Sequence, residues 1–233
     1  ASDVYKRQGY NRADEIKRLA ALCRSRGIRY VVTTFKSEVG YSLEELVSLA
    51  EVKGLTISPC TLCGVLKRRV VNVVARRLGA ARTATAHNLD DEAQTLIVNV
   101  LRGDVSRIIR LYPGAPKPHK LFVHRVRPLR KVYEWETTLY AFYKGFPFQR
   151  GECPYITRRP TLRARVRRFL YEYEHAHPGS LMRMVEMFDE ALDRLKPWRS
   201  LPELPVCERC GEPTSYGRRL CKVCELLEEL GVA

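Results

Sequence analysis

Six of the eight cysteines in this 233-residue chain fall in C-x-x-C pairs. Two of these pairs, Cys207-x2-Cys210 and Cys221-x2-Cys224, stand ten residues apart near the C-terminus. A C-x-x-C sets two thiolates on one knuckle, and two knuckles close a tetrahedral Zn²⁺ site. Gly211 and Gly217 permit the tight turns such knuckles need. Four thiolates leave no open coordination position, so a structural role is expected. The module is too short to build an adequate core, so the metal is expected to supply its folding energy. A pair of disulfides is the competing reading. No secretion signal supports it, because the N-terminal ASDVYKRQ has no apolar segment.

The third pair, Cys60-Thr61-Leu62-Cys63, is expected in a loop leading into a helix. It has no second C-x-x-C within ribbon reach. Cys23 is assigned to the apolar face of a helix. That leaves Cys153, within Glu152-Cys153-Pro154-Tyr155, as the unassigned thiol. Three thiolates suit a [4Fe–4S] cluster with one iron lacking a protein ligand, where a substrate or a sulfide could bind. The spacing alone leaves a zinc site, a redox pair and unliganded thiols open.

A third group of reactive side chains runs through Thr85-Ala-His-Asn-Leu-Asp-Asp-Glu-Ala-Gln-Thr95. It starts at the end of an expected strand and enters a helix. Ligands of open α/β sheets bind at such strand ends, and carboxylates are favoured at helix N-termini. Simple capping would account for Asp90. It would not account for His87, Asn88 and Asp91 gathered at the same place.

Charge supplies the fourth signal. Lys and Arg number 41 against 26 acids, a net charge of +15. Residues 60–131 hold fifteen basic and four acidic residues. Residues 158–168 hold six arginines, among them Arg158, Arg159, Arg163 and Arg167, and no acid. An arginine face opposite an apolar one suits phosphate backbones. A solvated helix face, as in a heat-adapted protein, is the plain alternative and would usually mix signs.

The elements that must position these residues follow from hydrophobic period. Ile16, Leu19, Ala20 and Cys23 make an amphipathic helix stopped by Gly27. Arg29–Phe35 reads as a strand. Ser42 and Glu45 form a capping box. A helix spans about 62–78, ARTATA at 81–86 reads as a buried strand, and Asp90 caps a helix with Leu96, Ile97, Val100 and Leu101 inward. Leu121–Arg127 is a strand and Tyr133–Lys144 a helix. This alternation argues for a parallel α/β sheet with flanking helices. Two further helices follow, one from Pro160 with Leu162, Val166, Phe169, Leu170 and Tyr173 on one face. The other, 180–196, buries Met184, Phe188, Leu192 and Leu195. No run of apolar residues is long enough to span a membrane.

Taken together, the motifs resemble the tRNA 2-thiouridine synthetases, the TtuA-like branch of the PP-loop ATPases. The resemblance rests on GYSLEEL at 40–46, C-x-x-C-G-x-x-[KR]-R at 60–68 and HNxDDxAxT at 87–95. It continues through NxLRGD at 99–104, RPLRxVYEWE at 127–136, ECPY at 152–155 and the terminal LCKVCELLE. The resemblance implies a Rossmann-like adenine nucleotide alpha hydrolase fold with a C-terminal zinc ribbon. It implies an enzyme that adenylates a tRNA uridine at its C2 oxygen with ATP and Mg²⁺, then inserts sulfur there. Cys60, Cys63 and Cys153 would hold the [4Fe–4S] cluster. Lys67 and Asp91 would be catalytic, and His87 and Asp90 would lie beside the nucleotide. Partners would be tRNA and a ubiquitin-like thiocarboxylate sulfur carrier, with a homodimer and a cytoplasmic setting expected.

Two departures accompany the resemblance. Ala86 precedes His87 where the family has glycine. The pyrophosphate loop Ser-Gly-Gly-x-Asp-Ser is absent from the sequence, in which no two glycines are adjacent. Residues 1–8, ASDVYKRQ, lack an initiator Met and are read as non-native, and 9–157 as a PP-loop domain lacking its first strands. A basic helical extension (158–196), a linker (197–206) and a zinc ribbon (207–233) complete the expected organisation. The chain by itself is expected to grip ATP weakly and to be inactive. The principal competitor is a non-enzymatic RNA-binding zinc protein. The terminal four-cysteine ribbon disfavours a tRNA lysidine synthetase or a cytidine thiolase.

Overall fold

In the computed structural model the described residues are 6–7, 10–146, 155, 162–196 and 202–232. They form two compact units. The first takes described residues within 1–80, 146–158 and 204–233. The second takes those within 81–145 and 159–203.

The first unit is built from helices. A short antiparallel hairpin, β1 (Lys6–Arg7) and β2 (Tyr10–Asn11), precedes α1 (Arg12–Ser25). Gly27, at φ +63°, ends the α1 region as its position suggests. Cys23 is only partly buried and Leu19 is exposed, so the expected core face of α1 stays largely in water. The expected strand at Arg29–Phe35 does not form. Phe35 instead opens α2 (Phe35–Val39), whose N-cap Thr34 accepts from the Ser37 amide at 3.0 Å. A β-branched run becomes a strand only beside a partner. Among the described residues nothing pairs with 29–34, and Val31 and Val32 are 59% and 55% exposed.

Helix α3 (Leu43–Val52) carries the expected capping box. Glu45 N–H donates to the Ser42 hydroxyl at 3.1 Å and Ser42 N–H donates to Glu45 Oε2 at 2.8 Å. Helix α4 (Pro59–Arg77) begins three residues earlier than its apolar period suggests, because Ser58 caps it and Pro59 fits its first turn. The last helix, α10 (Lys222–Glu229), lies at the C-terminus. Phe35, Leu46, Leu62, Leu66, Val70, Leu226 and Leu230 make one core with Cys207, Cys221 and Cys224. The cysteine module thus buries apolar surface against α2, α3 and α4, and its stability does not rest on metal alone.

The second unit is organised by two parallel strands, β3 (Arg82–Ala84) and β4 (His124–Val126), in register Arg82–His124 to Ala84–Val126. Thr85 N–H donates to Val126 O at 3.0 Å and extends the ladder by one rung. The strand expected to be buried is not: Arg82 and Ala84 are exposed. Each strand feeds a helix, α5 (Leu89–Leu101) after β3 and α7 (Glu134–Tyr143) after β4, with α6 (Val105–Ile109) between. The expected parallel α/β arrangement is therefore present as a small sheet with helices. Helices α8 (Leu162–Ala176) and α9 (Ser180–Leu195) pack on α5 through Val166, Leu170, Leu181 and Val185 against Leu89, Ala93 and Val98.

Several inward assignments reverse. Val100, Leu101, Phe169, Tyr173 and Leu195 point to solvent, and Leu162 is at the margin. On α5 the places of Val100 and Leu101 are taken by Glu92, Gln94 and Asn99, which are buried. For Glu92 the reason is ionic. Arg127 Nη1 donates to both Glu92 carboxylate oxygens at 2.5 Å, and Arg130 Nε lies 3.6 Å from Glu92 Oε2. Arg130 also pairs with Asp189 of α9.

Glu92→Ala leaves the Arg127 guanidinium buried without its carboxylate and Arg130 with Asp189 alone, which should cost about 3–5 kcal/mol. Urea unfolding followed through the second unit's secondary structure measures it. A loss under about 1 kcal/mol would mean that the pair is solvated.

Candidate functional site

Cys60 lies in the first turn of α4 and Cys63 at the start of its second, both within the helix and not in a preceding loop. Cys60 is exposed and Cys63 half-buried against the unit's core. At helical spacing Cys60, Cys63, Gly64 and Lys67 share one face. The face is electrostatically suited to anions. No acid lies in the first turn, and the positive end of the helix dipole favours thiolates there. A Cβ placed on Gly64 would meet only the Arg68 guanidinium, at 3.9 Å, so the space beside the thiols is clear of backbone. These residues fit an anionic iron–sulfur group. Cys153, the third expected thiol, lies outside the described residues.

The terminal cysteines converge. The sulfurs of Cys207, Cys210, Cys221 and Cys224 all lie within 4.8 Å of one another, and Cys210 and Cys221 are 3.6 Å apart. A tetrahedral zinc with Zn–S bonds of about 2.3 Å would space its sulfurs about 3.8 Å apart. The donor set and geometry fit Zn²⁺. Burial tends to raise the Cys207 thiol. Backbone N–H groups of Cys221, Cys210 and Arg209 outweigh it and bring the thiol down to about 6. Burial pushes Cys224 up. The module is clamped to α4 through buried Glu212, which pairs with Arg76 (Nη1 at 3.2 Å) and lies 3.6 Å from Arg69.

In the second unit, the C-terminal ends of β3 and β4 lead straight into the third group. Asn88, not Asp90, caps α5: its Oδ1 accepts from the Asp91 amide at 2.9 Å. Asp90 is released for another task and accepts the Glu134 amide at 2.7 Å, at the start of α7. Leu89 N–H donates to Val132 O at 2.8 Å, a second tie between the two strand–helix junctions. His87 Nδ1 lies 2.9 Å from the Thr85 hydroxyl. Desolvation lowers the His87 pKa against the pull of nearby Asp91, so the ring is neutral at pH 7.

Two arginines of α8 reach this end of the unit. Arg163 Nη2 meets Asp91 Oδ1 at 2.9 Å, its Nε meets Gln94 at 3.2 Å, and its Nη1 meets Thr95 at 3.1 Å. Arg167 donates to both Glu134 oxygens, at 3.0 and 2.9 Å. The arginine face of α8 therefore meets protein carboxylates here. Arg158 and Arg159 lie outside the described residues.

The frame beneath was not assigned a role from sequence. Tyr133 donates to Glu174 at 2.8 Å, and burial followed by this contact pushes its pKa up to about 12. Glu174 also accepts the Gly179 and Leu181 amides, at 2.6 and 2.8 Å, capping α9. These contacts and the Glu92 pairs involve the RPLRxVYEWE segment, so the motif was visible while its purpose was not. The structure thus gathers His87, Asp90, Asp91, Arg163 and Arg167 at one end of the second unit. In the first unit it gathers Cys60, Cys63 and Lys67 on one helix face and the four terminal cysteines at one point.

No protein-family model matches the chain. It is 34% identical over 207 residues to the cytoplasmic tRNA 2-thiolation protein 1 of Chlamydomonas reinhardtii, covering 88% of this chain and 55% of that protein. It is 32% identical over 215 residues to a probable sulfurtransferase of Methanocaldococcus jannaschii, covering 92% and 60%. Against the tRNA 2-thiolation protein NcsA of Haloferax volcanii the identity is 30% over 232 residues, covering 96% and 70%. Its fold matches the U34-tRNA thiolase NcsA from Methanococcus maripaludis, solved with its [4Fe-4S] cluster. That match has a TM-score of 0.75 and 31% identity, and covers 98% of this chain and 69% of that one. The chain spans little more than half the length of the first of these relatives.

Cys221→Ser should reduce bound zinc, measured by elemental analysis, from one equivalent per chain to well below one. Retention of a full equivalent would remove Cys221 from the ligand set. His87 supplies a pH signature. Its folded pKa lies below the unfolded value of about 6.5, so the unfolded state takes up the proton first and stability falls as pH drops below about 6.5. Imidazole NMR titration should place its midpoint below that value; a midpoint above it would contradict the desolvated setting.

Proposed function

The chain belongs to the TtuA-like family of tRNA 2-thiolation proteins, and on that premise we propose that it serves in making 2-thiouridine in tRNA. The reaction replaces the C2 oxygen of a uridine with sulfur. A carbonyl oxygen is a poor leaving group; its attack on the α-phosphorus of ATP expels pyrophosphate and converts it into one that departs as AMP. A sulfur nucleophile then adds at C2, and AMP leaves with the C–O electron pair.

The observation that carries the proposal is the α4 face bearing Cys60, Cys63, Gly64 and Lys67, in a chain whose fold follows that of a thiolase solved with its cluster. Cys60, Cys63 and Cys153 would hold a [4Fe–4S] cluster. When bound, the cluster supplies an iron without a protein ligand, able to hold the sulfur to be transferred. Lys67, one helical turn beyond Cys63, is the cation the proposal assigns to the developing charge.

At the strand ends of the second unit, His87 is held neutral and oriented by Thr85, able to donate or accept one hydrogen bond to a nucleotide. Asp90 fixes the start of α7 beside it. Asp91 is the catalytic carboxylate of the proposal, and in the chain without RNA it pairs with Arg163. Arg158, Arg159, Arg163 and Arg167 form the arginine group that meets the RNA; for Arg163 and Arg167 this means exchanging an exposed ion pair, which costs little. Ser-Gly-Gly-x-Asp-Ser is not among these residues, so the PP-loop grip on pyrophosphate is not assigned to any of them. The four terminal thiolates hold zinc as a structural ion. A ubiquitin-like thiocarboxylate carrier, a homodimer and a cytoplasmic setting complete the proposal.

Anaerobic reconstitution with iron and sulfide tests it. The chain should turn brown, and Cys60→Ala, Cys63→Ala and Cys153→Ala should each abolish most of the colour while zinc content holds. A protein that stays colourless, or that keeps its colour without Cys153, would leave a zinc-containing RNA-binding protein as the better account.

A further inference from the structure

Helix α8 has a third face that neither the core nor the ion pairs use. Val166 and Leu170 point into the unit, and Arg163 and Arg167 reach Asp91 and Glu134. Arg165, Phe169, Tyr173 and His177 follow one another at intervals of four, three of them on the helix and His177 just past its end, and all four are exposed. The rings already stack on each other. Phe169 and Tyr173 have centroids 5.9 Å apart at 28°, and Tyr173 and His177 are 4.8 Å apart at 48°. Phe169 is 57% and Tyr173 46% exposed. Arg165 forms no ion pair among the described residues, unlike its neighbours Arg163, Arg167 and Arg168.

A row of aromatic rings in water, headed by an unpaired guanidinium, has the chemistry of a single-stranded nucleic-acid platform. Rings offer π-faces to unstacked bases, and a guanidinium takes the adjoining phosphate. We propose that the outward stripe Arg165–Phe169–Tyr173–His177 of α8 stacks an unpaired base of the RNA substrate, with Arg165 on the flanking phosphate. This rests on the reading above that RNA is the substrate, and it locates the contact on a face distinct from Arg163 and Arg167. A second copy of the chain fits the stripe less well. A two-fold contact would bring this patch against itself and oppose two arginine-rich helices.

The test compares three probes at fixed salt: a tRNA transcript, an RNA hairpin with an unpaired loop, and a fully paired RNA of equal length. Phe169→Ala and Tyr173→Ala should each weaken hairpin binding about tenfold, as loss of one base–ring stack predicts. Phe169→Trp should keep it, and binding of the paired RNA should not change. The slope of log Kd against log salt should hold in the ring variants and fall by about 1 in Arg165→Ala. The unfolding midpoint should be unchanged throughout, because the substituted side chains are exposed. The proposal is overturned if the Phe169→Ala/Tyr173→Ala double variant binds the hairpin as tightly as the unaltered chain. Equal losses for hairpin and paired RNA overturn it too, as does a loss of self-association in sedimentation with RNA affinity intact. An unaltered chain that binds neither tRNA nor hairpin would overturn the RNA-substrate reading itself, a different result from failure of the stripe alone.

Discussion

A single buried carboxylate fixes the geometry of the second unit. Glu92 lies on the inward face of α5 with almost no exposure, a position that an apolar residue would normally hold. It is tolerated because Arg127 meets both of its oxygens and Arg130 approaches from the same segment. Arg130 continues to Asp189 on α9. An isolated ion there would be expelled, whereas a chain of alternating charges can remain only if each member stays in place. The segment after β4 is thereby tied to both α5 and α9. The junction that carries His87 and Asp91 inherits this order.

Hydrogen bonds at helix starts refine what the charges hold. Asn88 closes α5, Asp90 crosses to the first amide of α7, and Glu174 takes the first amides of α9. Each satisfies a donor that a helix leaves open at its N-terminus. Because the caps of α7 and α9 come from other helices, they also set where those helices begin in space. Asp90 therefore places α7, while Asp91 beside it faces Arg163.

What could be read from sequence divides along the range of the interaction. Local rules worked: the Ser42–Glu45 box, the glycine stops and the pairing of terminal cysteines depend on residues a few positions apart. Long-range partnership was not legible. The run 29–34 has strand chemistry but no ladder beside it, and ARTATA forms a strand with one neighbour and exposed faces. Hydrophobic period misplaced Val100 and Leu101, since it cannot anticipate that Arg127 and Arg130 make Glu92 the inward residue. Arg163 and Arg167 read as a nucleic-acid face by composition, and their carboxylate partners sit about seventy and thirty residues earlier. The family motifs pointed to His87, Asp91 and the cysteines, though not to the supports beneath them.

The Glu212 clamp carries a mechanical implication. Arg69 and Arg76 seize the cysteine module from the later turns of α4, whereas Cys60 and Cys63 sit near its start. Between Cys60 and Arg76 the helix runs about 24 Å at 1.5 Å per residue, so a tilt of about 5° at one end swings the other by about 2 Å. Helix α4, seated along its length by Leu62, Leu66 and Val70, therefore couples the terminal cysteine knuckles to the aim of the two thiols.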